Sequence, residues 1–197
     1  MKTRIPLNIP NILSLYRLFS FPVVLYLVLA GHEKAFAWIL CINLVTDILD
    51  GLIARTFNME TEIGAKIDSI ADTGTYILAF LGIILFKWPD FQPHAFSFLL
   101  FVGLFVGSHL LSVIRFGRLP SLHLYSSKIG GYLQGAFFFV VFAFKFNVIF
   151  YYIMVLWGIA SFTEHIIIQF IIPRMIVNAK GLYWVLQRKR QGDDFRS

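Results

Sequence analysis

Charged side chains are scarce in this sequence, and their scarcity narrows the class of protein at once. Asp, Glu, Lys and Arg make up 14% of the 197 residues, whereas 58% are hydrophobic. Soluble globular domains average about 25% charged residues, and 22 phenylalanines exceed what one compact core of this size buries. The low charge excludes a disordered chain, and the single cysteine, Cys41, excludes a disulfide scaffold. The lipid bilayer is therefore the expected solvent.

The apolar residues gather in six segments, each close to the length of about 20 residues that a helix needs to cross a bilayer. Short polar connections separate the segments, and the sequence contains no internal repeat. We therefore predict an all-α integral membrane protein, with six transmembrane helices in one membrane domain over residues 1–173 and a basic tail over residues 174–197. The predicted spans are Ile12–Leu29, Ala35–Ile53, Ile67–Phe86, Phe96–Ile114, Ile129–Phe144 and Ile149–Ile172.

Basic residues are distributed unevenly between the two ends of these predicted spans. With the N-terminus placed in the cytoplasm, thirteen of the 17 Lys and Arg residues fall on cytoplasmic segments, Arg17 falls inside the first span, and only Lys34, Lys87 and Lys145 fall outside. An excess of Lys and Arg in cytoplasmic loops is typical of membrane proteins. We therefore predict a multi-pass protein of the cytoplasmic (inner) membrane with both termini cytoplasmic.

The basic tail has a predicted role at the same membrane face. Met175–Arg190 alternates apolar residues with Lys and Arg, which favours a basic amphipathic helix on the cytoplasmic leaflet. Anionic lipid headgroups are then sufficient partners for the net charge of +6, and no nucleic acid is required.

Four of the 11 acidic residues, Asp47, Asp50, Asp68 and Asp72, fall in or beside the second and third predicted spans. Intramembrane carboxylates are costly and normally face a water-filled cavity, a partner cation or a metal ion. At 100° per residue, the first two aspartates share one face of their helix, and so do the last two. Four carboxylates converging in a low-dielectric site need cations to stay ionised. Oxygen ligands without nearby Cys or His favour Mg²⁺, Mn²⁺ or Ca²⁺ over zinc.

Small residues accompany both aspartate pairs. Gly51 and Ala54 continue the face of the first pair, Gly64 lies one turn before the second pair, and Arg55 and Lys66 lie at the connection between the two helices. Residues with almost no side chain leave room for a ligand to approach the backbone, and Mg²⁺ commonly acts together with substrate phosphates. We therefore predict a phosphate-bearing substrate at the cytoplasmic end of these helices.

This pattern resembles the signature of the CDP-alcohol phosphatidyltransferases, D-x2-D-G-x2-A-R-x8-G-x3-D-x3-D. All eight fixed positions between Asp47 and Asp72 agree in identity and spacing. The segment from Pro10 to Leu18 is also similar to the start of the family's bacterial phosphatidylglycerophosphate and cardiolipin synthases. The resemblance implies an enzyme that transfers a phosphatidyl group from CDP-diacylglycerol to an alcohol and releases CMP. It also implies a homodimer.

The resemblance further implies roles for individual residues. Asp72 would be the general base that takes the proton of the acceptor hydroxyl. Two Mg²⁺ or Mn²⁺ ions would be held by Asp47, Asp50, Asp68 and Asp72. The CDP-lipid would lie along Asp47, Asp50, Gly51, Ala54, Arg55, Gly64 and Asp68.

Three basic residues form the predicted site for an acceptor phosphate. Arg115 and Arg118 end the fourth predicted span, and Lys128 begins the fifth. Arg binds phosphate bidentately, although positive-inside anchoring explains the same charges. The segment from Lys128 to Gln134 is similar in spacing to part of the family's phosphatidylglycerophosphate synthases, whereas Asp68-Ser69 is closer to its serine and inositol branches. We expect glycerol 3-phosphate as the acceptor, with serine, inositol, inositol phosphate and phosphatidylglycerol as alternatives.

Two other classes of protein place aspartates on membrane helices. Membrane prenyltransferases also hold Mg²⁺ and a diphosphate, but they need more than six spans and lack this pattern of small residues. A cation transporter would use the aspartates as an ion site, would have no use for Gly51 or Arg55, and would conduct ions without releasing CMP. Glu164 and His165, inside the sixth predicted span, are interpreted as a helix-packing or dimer contact.

Overall fold

The computed structural model describes residues 8–59, 61–118, 122, 124–176 and 179–191. These residues form eight α-helices and no strand. A π-helical segment, Ile83–Lys87, and a 3₁₀ turn, Gln92–His94, flank the short fourth helix. The helices are α1 (Ile9–Leu29), α2 (Glu33–Thr56), α3 (Glu62–Gly82), α4 (Trp88–Phe91), α5 (Ala95–Phe116), α6 (Tyr125–Ala143), α7 (Val148–Ile171) and α8 (Leu182–Arg190).

Four helical stretches of the described chain are long and apolar enough to cross a membrane. The third contains 54 residues and joins α3, the π-helical segment, α4, the 3₁₀ turn and α5. At 21 and 22 residues, α3 and α5 each have about the length that one crossing needs. The predicted all-α class with apolar spanning helices is confirmed. The count of six spans and the cytoplasmic termini stay predictions, and α6 is not among the four stretches. The four stretches are Ile9–Leu29, Glu33–Ala54, Ile63–Phe116 and Val148–Ile171.

Polar side chains fix the points at which three of the helices begin. The Asn8 side chain accepts a hydrogen bond from the backbone N–H of Asn11 at the start of α1 (3.1 Å), and Thr61 accepts one from Gly64 at the start of α3 (3.0 Å). Asn147 caps α7 in the same way. Such caps satisfy backbone donors that the first helical turn leaves unpaired. The caps of α1 and α3 therefore set the register of the polar residues one to three turns further along.

The chain divides into two compact units, of which the first contains the residues up to Gln92 together with Phe138–Phe146. In this unit α1 packs against both α2 and α3. The Asn43 amide on α2 donates a hydrogen bond to the Ser20 hydroxyl on α1 over 2.9 Å. This contact links α1 to α2 one helical turn before the aspartate motif begins.

The second unit contains Pro93–Phe137 and the chain from Asn147 onward. Here α5 packs against α7, and Gly158 allows close contact because a β-carbon at that position would overlap the Phe101 ring. An apolar cluster joins the end of α7 to the chain that follows it; its buried members are Leu122, Leu124, Ile168, Ile172, Ile176, Ala179 and Val185.

The helix in the basic tail is shorter than predicted. Among the described residues of the predicted Met175–Arg190 segment, only Leu182–Arg190 are helical. The described residues before it pack their apolar side chains onto α7, and the Ala179 N–H donates to the carbonyl oxygen of Leu122 over 2.9 Å. The described residues of this segment that precede α8 are therefore docked without helical structure, and a short helix follows them.

Candidate active site

The two halves of the aspartate motif face each other where α2 ends and α3 begins. Asp47 and Asp50 lie in the last three turns of α2, and Asp68 and Asp72 lie in the second and third turns of α3. Carboxylate oxygens of Asp47, Asp50 and Asp68 all lie within 4.8 Å of one another. Asp50 is buried, whereas the side chains of the other three are 36–40% exposed. The site therefore has a closed floor at Asp50 and an accessible rim.

The side chain of Arg17 reaches from α1 into the centre of this cluster, and it is fully buried. One terminal nitrogen, Nη1, donates to the carboxylates of both Asp47 and Asp72, and it lies 2.6 Å from Asp72 Oδ1. The other, Nη2, lies 2.5 Å from Asp50 Oδ2 and 2.6 Å from Asp68 Oδ1. Each nitrogen thus joins one carboxylate of α2 to one of α3, and the guanidinium is in contact with all four predicted ligands.

Ser14 lies one turn before Arg17 on the same face of α1. Its hydroxyl oxygen is 3.1 Å from Asp50 Oδ2 and 3.4 Å from Asp68 Oδ1. Asn11, a further turn back, donates from its side-chain amide to Thr61 Oγ1 at the start of α3 over 3.4 Å. Residues 11, 14 and 17 follow the i, i+3 spacing of one helical stripe. The polar stripe of α1 is therefore the third wall of the site.

The carboxylates suit a hard divalent cation. Mg²⁺ binds oxygen ligands at 2.0–2.1 Å in octahedral geometry, which places opposite ligands about 4 Å apart. The oxygens of the three-aspartate cluster lie within 4.8 Å of one another, so any excess over this spacing is less than about 1 Å and within the reach of side-chain rotation. The guanidinium at its centre shows that the site accommodates positive charge. The donor set, made only of carboxylate oxygens, therefore fits the predicted Mg²⁺ or Mn²⁺.

The small residues of the motif lie on the same two helices. Gly51 and Ala54 follow Asp50 on α2, half-buried. Gly64 lies against α1, where a β-carbon would overlap the side-chain oxygens of Asn11 and Thr61. Arg55 belongs to α2, but its side chain lies outside the described part of the structure. Contact of these residues with a CDP-lipid stays a prediction, and Gly64 has an additional role in letting α1 approach α3.

The three basic residues predicted to bind the acceptor phosphate lie in the second unit, whereas the aspartates lie in the first. Nη2 of Arg115 donates to the carbonyl oxygen of Ile172 over 3.3 Å, and Nη2 of Arg118 donates to that of Met175 over 3.0 Å. The Lys128 ammonium lies 6.0 Å from the centroid of the Tyr125 ring. Because a guanidinium has five N–H groups, one backbone bond leaves each arginine capacity for a phosphate. Their role in acceptor binding stays a prediction.

The acidic residue of the sixth predicted span joins three elements of the second unit. Glu164 accepts hydrogen bonds from the Ser126 hydroxyl on α6 and, over 2.7 Å, from the N–H of Leu182 at the start of α8. His165 is buried beside Gln169, and its Nδ1 lies 3.4 Å from the side-chain Nε2 of Gln169. Glu164 is thus an anchor for the tail helix.

A helical membrane protein whose carboxylates converge at the junction of two helices belongs to a small set of classes. A sequence model of the CDP-alcohol phosphatidyltransferase family matches residues 7–177. The chain belongs to this family, and the family resemblance drawn from the aspartate signature is confirmed.

Three relatives of the chain are named CDP-diacylglycerol–glycerol-3-phosphate 3-phosphatidyltransferase. The protein of that name from Aquifex aeolicus is 31% identical over 119 residues, covering 59% of this chain and 67% of the relative. Those from Salmonella typhimurium and Escherichia coli are 43% and 41% identical over 68 residues, covering 33% of this chain and 37% of each relative. No solved structure gives a significant match to the chain.

Two residues of the site were not singled out by the sequence motif. The sequence places Arg17 inside the first predicted span and Ser14 within the segment similar to the synthases, and it predicts no role at the aspartates for either residue. The signal was present, because an arginine inside a membrane helix needs a buried partner. Identifying that partner required knowing that α1 packs between α2 and α3.

Proposed function

We propose that this protein transfers the phosphatidyl group of CDP-diacylglycerol to glycerol 3-phosphate and releases CMP. The observation that carries the proposal is the convergence of three signature aspartates, Asp47 and Asp50 of α2 and Asp68 of α3, within 4.8 Å. The names of the relatives in three bacteria support this donor and this acceptor. The cation-transporter alternative has no comparable support.

The aspartates have two proposed tasks. Asp47, Asp50, Asp68 and Asp72 would hold two Mg²⁺ or Mn²⁺ ions, which would neutralise the donor diphosphate and the charge that develops on departing CMP. Asp72, with its partly exposed carboxylate on the rim of the site, would act as general base. It would take the proton from a hydroxyl of glycerol 3-phosphate as that oxygen bonds to the β-phosphorus of the donor and the bond from this phosphorus to CMP breaks.

The two substrates reach the site from different phases. The diacylglycerol part of the donor stays in the bilayer, and Gly51 and Ala54 would leave space for its diphosphate and cytidine beside α2. Glycerol 3-phosphate is soluble and doubly charged, and Arg115, Arg118 and Lys128 would bind its phosphate. Six spans with cytoplasmic termini would place the aspartates at the cytoplasmic face of the inner membrane, and the homodimer is a separate expectation.

The decisive experiment supplies purified protein in lipid nanodiscs with CDP-diacylglycerol, Mn²⁺ and one acceptor at a time. The acceptors are glycerol 3-phosphate, serine, inositol, inositol phosphate and phosphatidylglycerol. We expect CMP release with glycerol 3-phosphate, dependence on the divalent cation, and loss of at least a hundredfold in kcat for Asp72→Asn because a general base contributes about 10²–10⁴-fold. Asp90→Asn, which alters an exposed carboxylate on α4, is the matched control and should keep wild-type activity.

The outcomes separate the parts of the proposal. CMP release with a different acceptor would refute glycerol 3-phosphate and keep the reaction class. CMP release by Asp72→Asn at the wild-type rate would remove the general base. Ion flux through proteoliposomes without any CMP release would restore the transporter.

A further inference from the structure

The position of Arg17 is unusual for a structural ion pair. A single guanidinium, with its side chain fully buried, contacts four carboxylates from two helices at 2.5 to 2.6 Å or closer. One guanidinium faces four carboxyl groups, more than a single positive charge can neutralise. Like charges packed this closely repel, and the site therefore favours any cation of higher charge that reaches the same oxygens.

The guanidinium is also incompletely satisfied. Its Nε is buried and has no hydrogen-bond partner among the residues that the structure describes. A buried donor without a partner costs roughly 1–3 kcal/mol, which a permanent structural arginine normally avoids. Arg17 is thus held by its two terminal nitrogens alone, at the carboxylates themselves.

The oxygens that bind Arg17 are those predicted to bind metal. Nη2 lies between Asp50 Oδ2 and Asp68 Oδ1, one from each helix. A divalent cation coordinated by these two oxygens at about 2.1 Å would occupy the space in which Nη2 now lies. Guanidinium and divalent cation are therefore alternative occupants of one position.

We propose that Arg17 is a resident counter-cation, which holds the four carboxylates together before a divalent cation binds and is displaced from them when it does. Arg17 then sets the cation affinity of the site. It belongs to α1 and lies outside the aspartate signature. The inference rests on the proposed function in one respect, that these aspartates bind a divalent cation.

The test measures Mn²⁺ binding directly. Purified protein without substrates is titrated with Mn²⁺, and electron paramagnetic resonance reports the concentration of the unbound ion. Arg17→Gln removes the competing charge, and we expect its dissociation constant for Mn²⁺ to be at least tenfold lower than that of the wild type. If Arg17 only ordered the carboxylates and did not compete with the cation, its loss would instead weaken Mn²⁺ binding. The sign of the change therefore distinguishes the two roles.

Lys87→Gln is the matched control. It removes one positive charge from the same unit, but Lys87 pairs with Glu33 at 2.7 Å, and Glu33 lies about 20 Å from Asp47 along α2 at 1.5 Å per residue. We expect wild-type Mn²⁺ affinity for this variant. A gain equal to that of Arg17→Gln would assign the effect to net charge and overturn the inference.

A second measurement uses the wild-type chain and so does not depend on the variant folding. Phenylglyoxal modifies accessible guanidinium groups, and mass spectrometry can follow Arg17 itself. We expect Arg17 to react slowly in EDTA and at least tenfold faster with saturating Mn²⁺. Equal protection in both conditions would overturn the inference while leaving metal-dependent CMP release intact. If neither wild type nor Arg17→Gln binds Mn²⁺, the inference and the proposed metal dependence fail together.

Discussion

Replacing Asp50 by Asn is expected to abolish phosphatidyl transfer and, in the absence of divalent cations, to stabilise the fold. Asp50 is 3% exposed, and its Oδ2 lies 2.5 Å from Arg17 and 3.1 Å from Ser14. Asn keeps the size of the side chain and one oxygen acceptor, so the substitution removes little except the charge. The substitution lowers activity because a divalent cation needs the negative charge of Asp50 as a ligand. It raises stability because the neighbouring carboxylates repel that charge.

The size of the stabilisation follows from the surrounding charges. At 4.8 Å, the separation within which the Asp47, Asp50 and Asp68 oxygens lie, two unit charges repel by about 3.5 kcal/mol at an effective dielectric constant of about 20. The two neighbours of Asp50 thus contribute about 7 kcal/mol, and Arg17 offsets about 4 kcal/mol at a charge separation of roughly 4 Å. Water screens the Asp47 and Asp68 side chains, which are 39% and 40% exposed, so we expect a net gain of about 1 kcal/mol.

Thermal unfolding of purified protein in detergent, followed by intrinsic fluorescence, measures this gain. In EDTA the midpoint for Asp50→Asn should lie above that of the wild type, and in Mn²⁺ the order should reverse because the variant has lost a ligand. Asp90→Asn should follow the wild type in both buffers. A midpoint below wild type in EDTA would show that the pair with Arg17 outweighs the repulsion and would refute the charge balance.

Three further substitutions test other contacts. Gly64→Ala should destabilise the fold by about 1–3 kcal/mol through overpacking against Asn11, and the double variant with Asn11→Ala should recover part of the loss in chemical denaturation; strict additivity would contradict the contact. Glu164→Ala should speed hydrogen exchange at the Leu182 amide about tenfold, which corresponds to about 1.4 kcal/mol of lost protection; unchanged exchange would remove the anchoring role. Arg115→Ala should raise KM for glycerol 3-phosphate more than KM for the CDP-lipid, whereas equal increases would indicate membrane anchoring alone.

Local rules were sufficient for the second and sixth predicted spans and for the aspartate faces. The predicted second span, Ala35–Ile53, lies within α2, and the predicted sixth, Ile149–Ile172, differs from α7 by one residue at each end. Helical periodicity places residues three or four apart on one face, and the short connection after α2 keeps α3 beside it. The proximity of Asp47 and Asp68 was therefore accessible from spacing alone.

Long-range packing decided what the sequence did not predict. The contacts of Arg17 with the aspartates require α1 to pack against α2 and α3, which begin 16 and 45 residues after Arg17. The described residues before α8 place apolar side chains in one cluster with the end of α7, a contact that the alternation of the tail does not reveal. Propensity and periodicity act over a few turns, whereas these features depend on which helices become neighbours.

The role of α1 changes what the aspartate signature means in this chain. The signature spans only α2 and α3, yet its four carboxylates meet at a guanidinium supplied by a third helix. A chain with all eight signature residues but without Arg17 would have the ligands and lack the counter-charge that holds them together before a cation arrives. The segment from Pro10 to Leu18, similar to the start of the synthases, includes both Ser14 and Arg17 at the aspartates. The four carboxylates and the guanidinium are therefore assembled by three helices, α1, α2 and α3, and variation in α1 is expected to change cation affinity without altering a single ligand.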